Sequence, residues 1–158
     1  MKQQDAIALL KADHKAVKAL FKEADELSDR ATTQMKKLGD QICRELTVHT
    51  EIEEQIFYPA VKERSQRGHK EERELVLESY EEHALAKKVI GELQSLEASD
   101  ETYRAKFKVL HELIDEHVKE EERQLFPAVR ELMSEDNLVE LGEQIQQMKE
   151  QLQQRVPA

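Results

Sequence analysis

Six side chains able to hold a metal ion recur along the chain at matched spacing: His14, His49 with Glu53 four residues on, His83, and His117 with Glu121 four residues on. A neutral imidazole offers a nitrogen lone pair and a carboxylate offers anionic oxygen, a mixture that suits iron, manganese or zinc. Calcium and magnesium prefer oxygen alone. A four-residue step places both members of a His-x-x-x-Glu pair on one helix face. One such pair is weak evidence, because 34 of the 158 residues are acidic. The repeat carries the weight. Four imidazoles and two carboxylates left uncompensated in a packed interior would cost several kcal/mol per charge, so packing alone does not account for them.

The elements that must position these groups follow from the apolar spacing. Ile7, Leu10, His14, Val17, Phe21 and Ala24 read as one face of a helix, and Met35, Leu38, Ile42, Leu46, His49, Glu53, Ile56 and Ala60 as a second. The segment from Ser28 to Thr33 supplies turn and capping residues between them. Val76, Tyr80, His83, Ala86, Ile90 and Leu93 form a third run, after the breaker Gly68 and an acidic first turn at Glu71 and Glu72. Tyr103, Phe107, Leu110, Ile114, His117, Glu121, Leu125, Ala128 and Leu132 form a fourth, with Ser99 and Asp100 as candidate caps. A fifth run, Leu138, Leu141, Ile145, Met148 and Leu152, follows a turn at Ser134 to Asn137 and carries no histidine. It is expected to pack outside the others or against a second copy, so a homodimer through this helix is one expectation.

The two halves resemble each other. HTEIEEQIFYPAV begins at His49 and HVKEEERQLFPAV begins at His117, each with a Glu-Glu pair and a Pro-Ala-Val at the same offset. A duplicated helical hairpin is the smallest repeat that closes into a four-helix bundle. The expected fold is therefore all-α, an antiparallel up-down-up-down four-helix bundle over about residues 5–132 with an additional C-terminal helix over about 136–154, in a single domain. Counting from the turns at 1.5 Å per residue, His14 and His49 differ by roughly 3 Å in height, and the other members fall within about one helical turn. All six share one layer.

Composition excludes other classes. Few Gly and Pro, no Trp and 37% charged residues fit helices with solvated faces rather than a sheet. A net charge of −10 repels phosphate backbones, which argues against nucleic acid. No run is long enough to span a bilayer, and Met1 to Asp5 leads straight into an amphipathic pattern without a signal-peptide core, so a cytoplasmic protein with no membrane partner is expected. The lone Cys43 reads as a small packing residue.

On these residues the chain resembles the hemerythrin family, in particular its bacterial HHE cation-binding domains, over about residues 5–132. The resemblance implies two iron ions joined by an oxo or hydroxo bridge, with His14 and His49 on one, His83 and His117 on the other, and Glu53 and Glu121 bridging. It implies a buried site for dioxygen, nitric oxide or peroxide, serving sensing, storage or oxidative and nitrosative stress. An enzyme that consumes peroxide or nitric oxide is the rival, and a metal-storage or structural bundle is the third reading. Ferritin-like sites use Glu-x-x-His with four carboxylates, the reverse order at a shorter spacing. Oxygen-carrying members have a second histidine one turn from His83, where this chain has Ser79 and Lys87. Tyr80, three residues before His83, is the candidate additional ligand or hydrogen-bonding partner.

Other residues are expected to do less. His69 and His111 read as surface histidines, and Lys18 and Lys87 as lysines that snorkel outward. Asp13, Glu82 and Glu116 each precede a histidine and point about 100° away from it around the helix, which reads as solvation. Pro59 and Pro127 are expected to kink or loosen their helices just past the ligand layer.

Overall fold

Asp5 begins the first helix. Its Oδ1 accepts the Ala8 amide at 2.8 Å, satisfying one of the donors that a helix start leaves open, and its Oδ2 takes Arg130 at 3.0 Å. The computed structural model describes residues 4–155. Within them the helices are α1 (Ala6–Asp25), α2 (Thr32–Ile52), α3 (Tyr58–Arg64), α4 (Lys70–Ser95), α5 (Tyr103–Glu120), α6 (Phe126–Leu132) and α7 (Glu135–Arg155). There is no strand among the described residues.

The turns are built as their residues suggest, with two differences. Gly68 takes φ 79°, a left-handed conformation that a side chain would resist, and this stops the chain before α4. Ser134 accepts the Asn137 amide on its hydroxyl and so opens α7. Ahead of α2, however, the cap position is Ala31 and no side chain closes it. Asp100 turns the chain through the Thr102 amide at 2.8 Å but does not itself cap α5.

Pro59 and Pro127 act differently from the expected kink. A proline cannot donate to the carbonyl four residues before it, and each long helix responds by widening for one turn. The π segments Glu53–Phe57 and Glu121–Leu125 join α2 to α3 and α5 to α6, and the amides of Tyr58 and Phe126 reach back to the carbonyls of Glu53 and Glu121. Each π turn therefore begins at a carboxylate of the repeated motif.

α1 packs on α2, α2 on α4 and α4 on α5, forming an all-helical bundle. Its apolar interior is split into two clusters. Ile7, Leu10, Ile52, Phe57, Val76, Leu125 and Val129 belong to one, and Val17, Phe21, Ile42, Leu46, Ala86, Leu110 and Ile114 to the other. Along α1, α2, α4 and α5 the buried histidine lies where one cluster gives way to the other. Fully burying each Leu, Ile or Phe contributes roughly 1.5–3 kcal/mol, and together these clusters offset the cost of the polar layer between them.

α7 lies against α1, α2 and the first π segment. Its Leu138 and Ile145 join the first cluster, with Leu141, Met148 and Leu152 packed beside them. The apolar residues of α7 thus pack within the chain, outside the four-helix core. Gly142 permits the contact, since a Cβ there would stand 2.6 Å from the Gln4 carbonyl oxygen. Among the described residues, no helix is long and apolar enough to cross a membrane.

Candidate metal centre

The four histidines and two glutamates meet between the two apolar clusters. His14, His49, Glu53, His83, His117 and Glu121 are all buried, Glu53 completely. Two sets of donor atoms converge, each within 4.8 Å: His14, His49, Glu53 and Glu121 in one, and Glu53, His83 and His117 in the other. Glu53 belongs to both.

Each imidazole is held from behind by a carboxylate. The Nδ1 atoms of His14, His49, His83 and His117 lie 2.7, 2.9, 3.0 and 2.8 Å from Glu122, Asp13, Glu54 and Glu82 respectively. With Nδ1–H donating outward, the Nε2 lone pair of a neutral ring faces the centre, and the carboxylate makes it a stronger ligand. The arrangement follows the duplication. The acid before the first histidine of each half, Asp13 or Glu82, holds the second histidine of that half. The acid after each buried glutamate, Glu54 or Glu122, holds a histidine of the other half. Asp13 and Glu82 are therefore not merely solvated: an offset of 100° around their own helix aims them at the neighbouring one. Glu116 is exposed, as expected.

At the centre, His83 Nε2 and His117 Nε2 lie 3.1 Å apart, within hydrogen-bond distance, but several other polar atoms are close without being hydrogen-bonded to one another. His14 Nε2 is 3.1 Å from Glu121 Oε1, His49 Nε2 is 3.1 Å from Glu53 Oε1, and His83 Nε2 is 3.2 Å from the same Glu53 oxygen. Yet His14 Nε2, His49 Nε2, both Glu53 oxygens and Glu121 Oε1 have no hydrogen-bond partner. Their distances suit ion pairs while their directions do not suit hydrogen bonds. Buried polar atoms left in this state are costly. Neighbouring ligands about 2.1 Å from a shared ion, at right angles, lie about 3.0 Å apart, which is the spacing found. The donor set fits a transition metal.

The charges around the centre interlock. Burial alone would depress the His49 imidazole, but the Glu53 carboxylate and the Asp13 hydrogen bond outweigh it and push its pKa up to about 10. His117 is likewise raised against burial, by Glu121, Glu53 and Glu82. Burial would favour a protonated Glu53, and His49 above all holds that carboxyl well below its usual range. The buried imidazoles and carboxylates thus favour each other's charged forms.

The phenol at the centre is that of Tyr58, not Tyr80. Tyr58 is buried, and its hydroxyl donates to Glu121 Oε2 at 2.7 Å while lying 3.2 and 3.4 Å from Nε2 of His83 and His117. Burial and the Glu121 and Glu53 carboxylates push its pKa well up, so the hydroxyl keeps its proton. Tyr80 instead donates to the Glu54 carbonyl at 3.3 Å and packs edge-on against the Tyr58 ring. A turn from His83, the Ser79 hydroxyl is taken by the Leu75 carbonyl, and Lys87 pairs with Glu54 at 2.7 Å. Neither position one turn from His83 reaches the centre in place of a fifth histidine, and the added polar group there is the Tyr58 hydroxyl from α3. Its signal was present: Tyr58 and Phe126 occupy matching positions in the two motifs. Phe126 stacks on His14, with centroids 5.8 Å apart, as Tyr58 meets His83 at 5.3 Å.

The remaining residues fall at the margins. Lys18 is exposed on the rim of a cavity beside the centre. His111 lines the same cavity and stacks flat on Phe21 with centroids 4.3 Å apart, so it is a wall residue rather than a free surface one. His69 is part-exposed at the start of α4. Cys43 is buried, and burial pushes its thiol up to about 12, which keeps it inert.

The sequence pattern of the Hemerythrin HHE cation binding domain matches residues 5–129. A solved structure, a hemerythrin HHE cation-binding domain-containing protein from Mycobacterium kansasii, superposes with a TM-score of 0.80 at 25% identity, covering 96% of this chain and 89% of that one. A Nostoc protein named DNA nickase is 29% identical over 156 residues. That match takes in 99% of this chain and 41% of the relative, so the chain spans less than half of that protein's length.

Proposed function

Because the chain belongs to the hemerythrin HHE cation-binding domain family, we propose that its six inward donors hold two iron ions that bind dioxygen, nitric oxide or peroxide. The role is sensing, storage or the response to oxidative and nitrosative stress. One observation carries the reading: five buried donor atoms on His14, His49, Glu53 and Glu121 lack hydrogen-bond partners and crowd one space. In this reading His14 and His49 would hold one ion, His83 and His117 the other, Glu53 and Glu121 would be shared between them, and the bundle would run up-down-up-down. An iron pair held there supplies redox chemistry and an exchangeable position for a small ligand.

The chain's own residues prepare that chemistry. Asp13, Glu54, Glu82 and Glu122 fix the orientation of the four rings through Nδ1. The apolar clusters on either side limit water and strengthen every electrostatic interaction between them. Tyr58 holds a proton on its hydroxyl, 2.7 Å from Glu121 and beside His83 and His117. That proton favours a second reading, a catalyst that consumes peroxide or nitric oxide, with Tyr58 supplying a proton. The net charge of −10 opposes a phosphate backbone, so the activity named for the Nostoc relative is not proposed for this chain.

Metal analysis with a visible spectrum tests the proposal. About two irons per chain are expected, with reversible spectral changes on adding oxygen or nitric oxide and no loss of metal. Zinc alone, or no metal after careful iron loading, overturns it. Peroxide turnover that disappears in His83→Ala selects the enzyme; ligand binding without turnover selects the binding protein.

A further inference from the structure

Of the bundle's faces, the one between α1 and α5 is the most loosely packed. A cavity of about 500 Å³ fills the gap, and the four site histidines form part of its wall. A diatomic ligand needs little more than the space of one water, about 30 Å³. The cavity instead has the size of a pocket for an organic molecule, a class that runs from about 300 to 1,000 Å³. Its chemistry has two parts. Val17, Phe21, Ile114 and Val118 supply an apolar wall, while Lys11, Lys15, Lys18 and Arg123 stand exposed around it.

The three lysines follow steps of four and three along α1 and so form a single stripe. The acids nearby are already engaged. Asp13 bonds His49 and Lys149, Asp115 pairs with Lys119, and Glu122 holds His14. Among the described residues, no carboxylate lies within ion-pair distance of Lys11, Lys15, Lys18 or Arg123. On a chain with a net charge of −10, the cavity mouth is a local reversal of sign. A neutral apolar guest would leave these cations unused, and a small inorganic anion would leave the apolar wall wet.

We infer that the cavity between α1 and α5 binds an amphipathic organic anion, with its apolar body along Val17, Phe21, Ile114 and Val118 and its charged head at Lys15, Lys18 and Arg123. Binding there does not require a metal, so the inference stands apart from the iron reading and its failure would leave that reading untouched.

Calorimetric titration of the full chain, with and without metal, tests it with decanoate, with decanol as the neutral match, and with acetate as a head without a body. Decanoate is expected to bind one site saturably in both forms, with an affinity that falls as salt rises. Decanol is expected to bind at least about tenfold more weakly, and acetate not measurably. The double variant Lys15→Glu with Lys18→Glu, which changes exposed side chains only, is expected to weaken decanoate by about tenfold or more, and Ile114→Phe to weaken it by filling the cavity. Absence of saturable decanoate binding overturns the inference. So does equal binding of decanoate and decanol, or unchanged affinity in the lysine variant.

Discussion

A single hydroxyl separates the two halves of the centre. Tyr58→Phe removes it while keeping the ring that packs on His83, and it leaves Glu121 short of one hydrogen bond, at a cost of about 1 kcal/mol. In the iron-loaded protein this variant is expected to alter the visible spectrum, and Tyr80→Phe to leave it unchanged; two spectra identical to the parent would show that neither phenol engages the ions. The six inward donors were legible because histidine and glutamate recurred at helical spacing where apolar residues belonged. The carboxylates behind them were not. Asp13 and Glu82 were judged on their own helix, where they turn away from the adjacent histidine, and only the neighbouring helix shows what they turn toward. The Glu53-Glu54 and Glu121-Glu122 pairs held the clue, one acid facing in and the next holding a ring from behind.

Between helices, α7 has a connection its sequence did not announce. Lys149 donates to Asp13 Oδ1 at 2.6 Å, and Asp13 Oδ2 holds His49 at 2.9 Å, so a helix beyond the matched family segment touches the centre through one intermediate. Lys149→Met is expected to lower metal affinity by about tenfold in chelator competition, the low end for partners of metal-bound histidines, and Lys149→Arg to retain most of it. At the start of α1, Asp5→Ala is expected to cost about 1 kcal/mol of stability near neutral pH in urea unfolding. Burial would raise the Asp5 carboxyl, but the Ala8 amide and Arg130 hold it below its usual value. A carboxyl depressed in the folded state contributes stability that is fully present above the unfolded value near about pH 4 and is lost as pH falls through the folded value. The stability gap between the parent and Asp5→Asn, which keeps a cap but not the charge, should therefore close on acidification below that point. The prolines were legible as disturbances, but their form was not, because a π turn depends on which carbonyl the displaced amide finds.

For the whole molecule, the division of the interior sets the response to metal. Two apolar clusters enclose a layer in which five buried donor atoms lack hydrogen-bond partners, so an ion that binds the folded chain alone should stabilise it. With free metal at a hundred times its dissociation constant the gain is about 2.7 kcal/mol, or a rise in Tm of roughly 5–11 °C, reversed by a chelator. A Tm indifferent to iron would show that the layer takes no ion. The duplication made the bundle and its shared ligand layer readable in advance. The cavity between α1 and α5 was not readable, since helical spacing says which face turns inward and nothing about how closely two faces approach.

The same duplication carries one further implication. Tyr58 in the first motif and Phe126 in the second mean that the His83 and His117 side has an oxygen that the His14 and His49 side lacks. A twofold repeat with one such difference is directional: if two ions are held as proposed, they should enter in order, one position first and the other after it, and a ligand arriving there would meet two unequal ends.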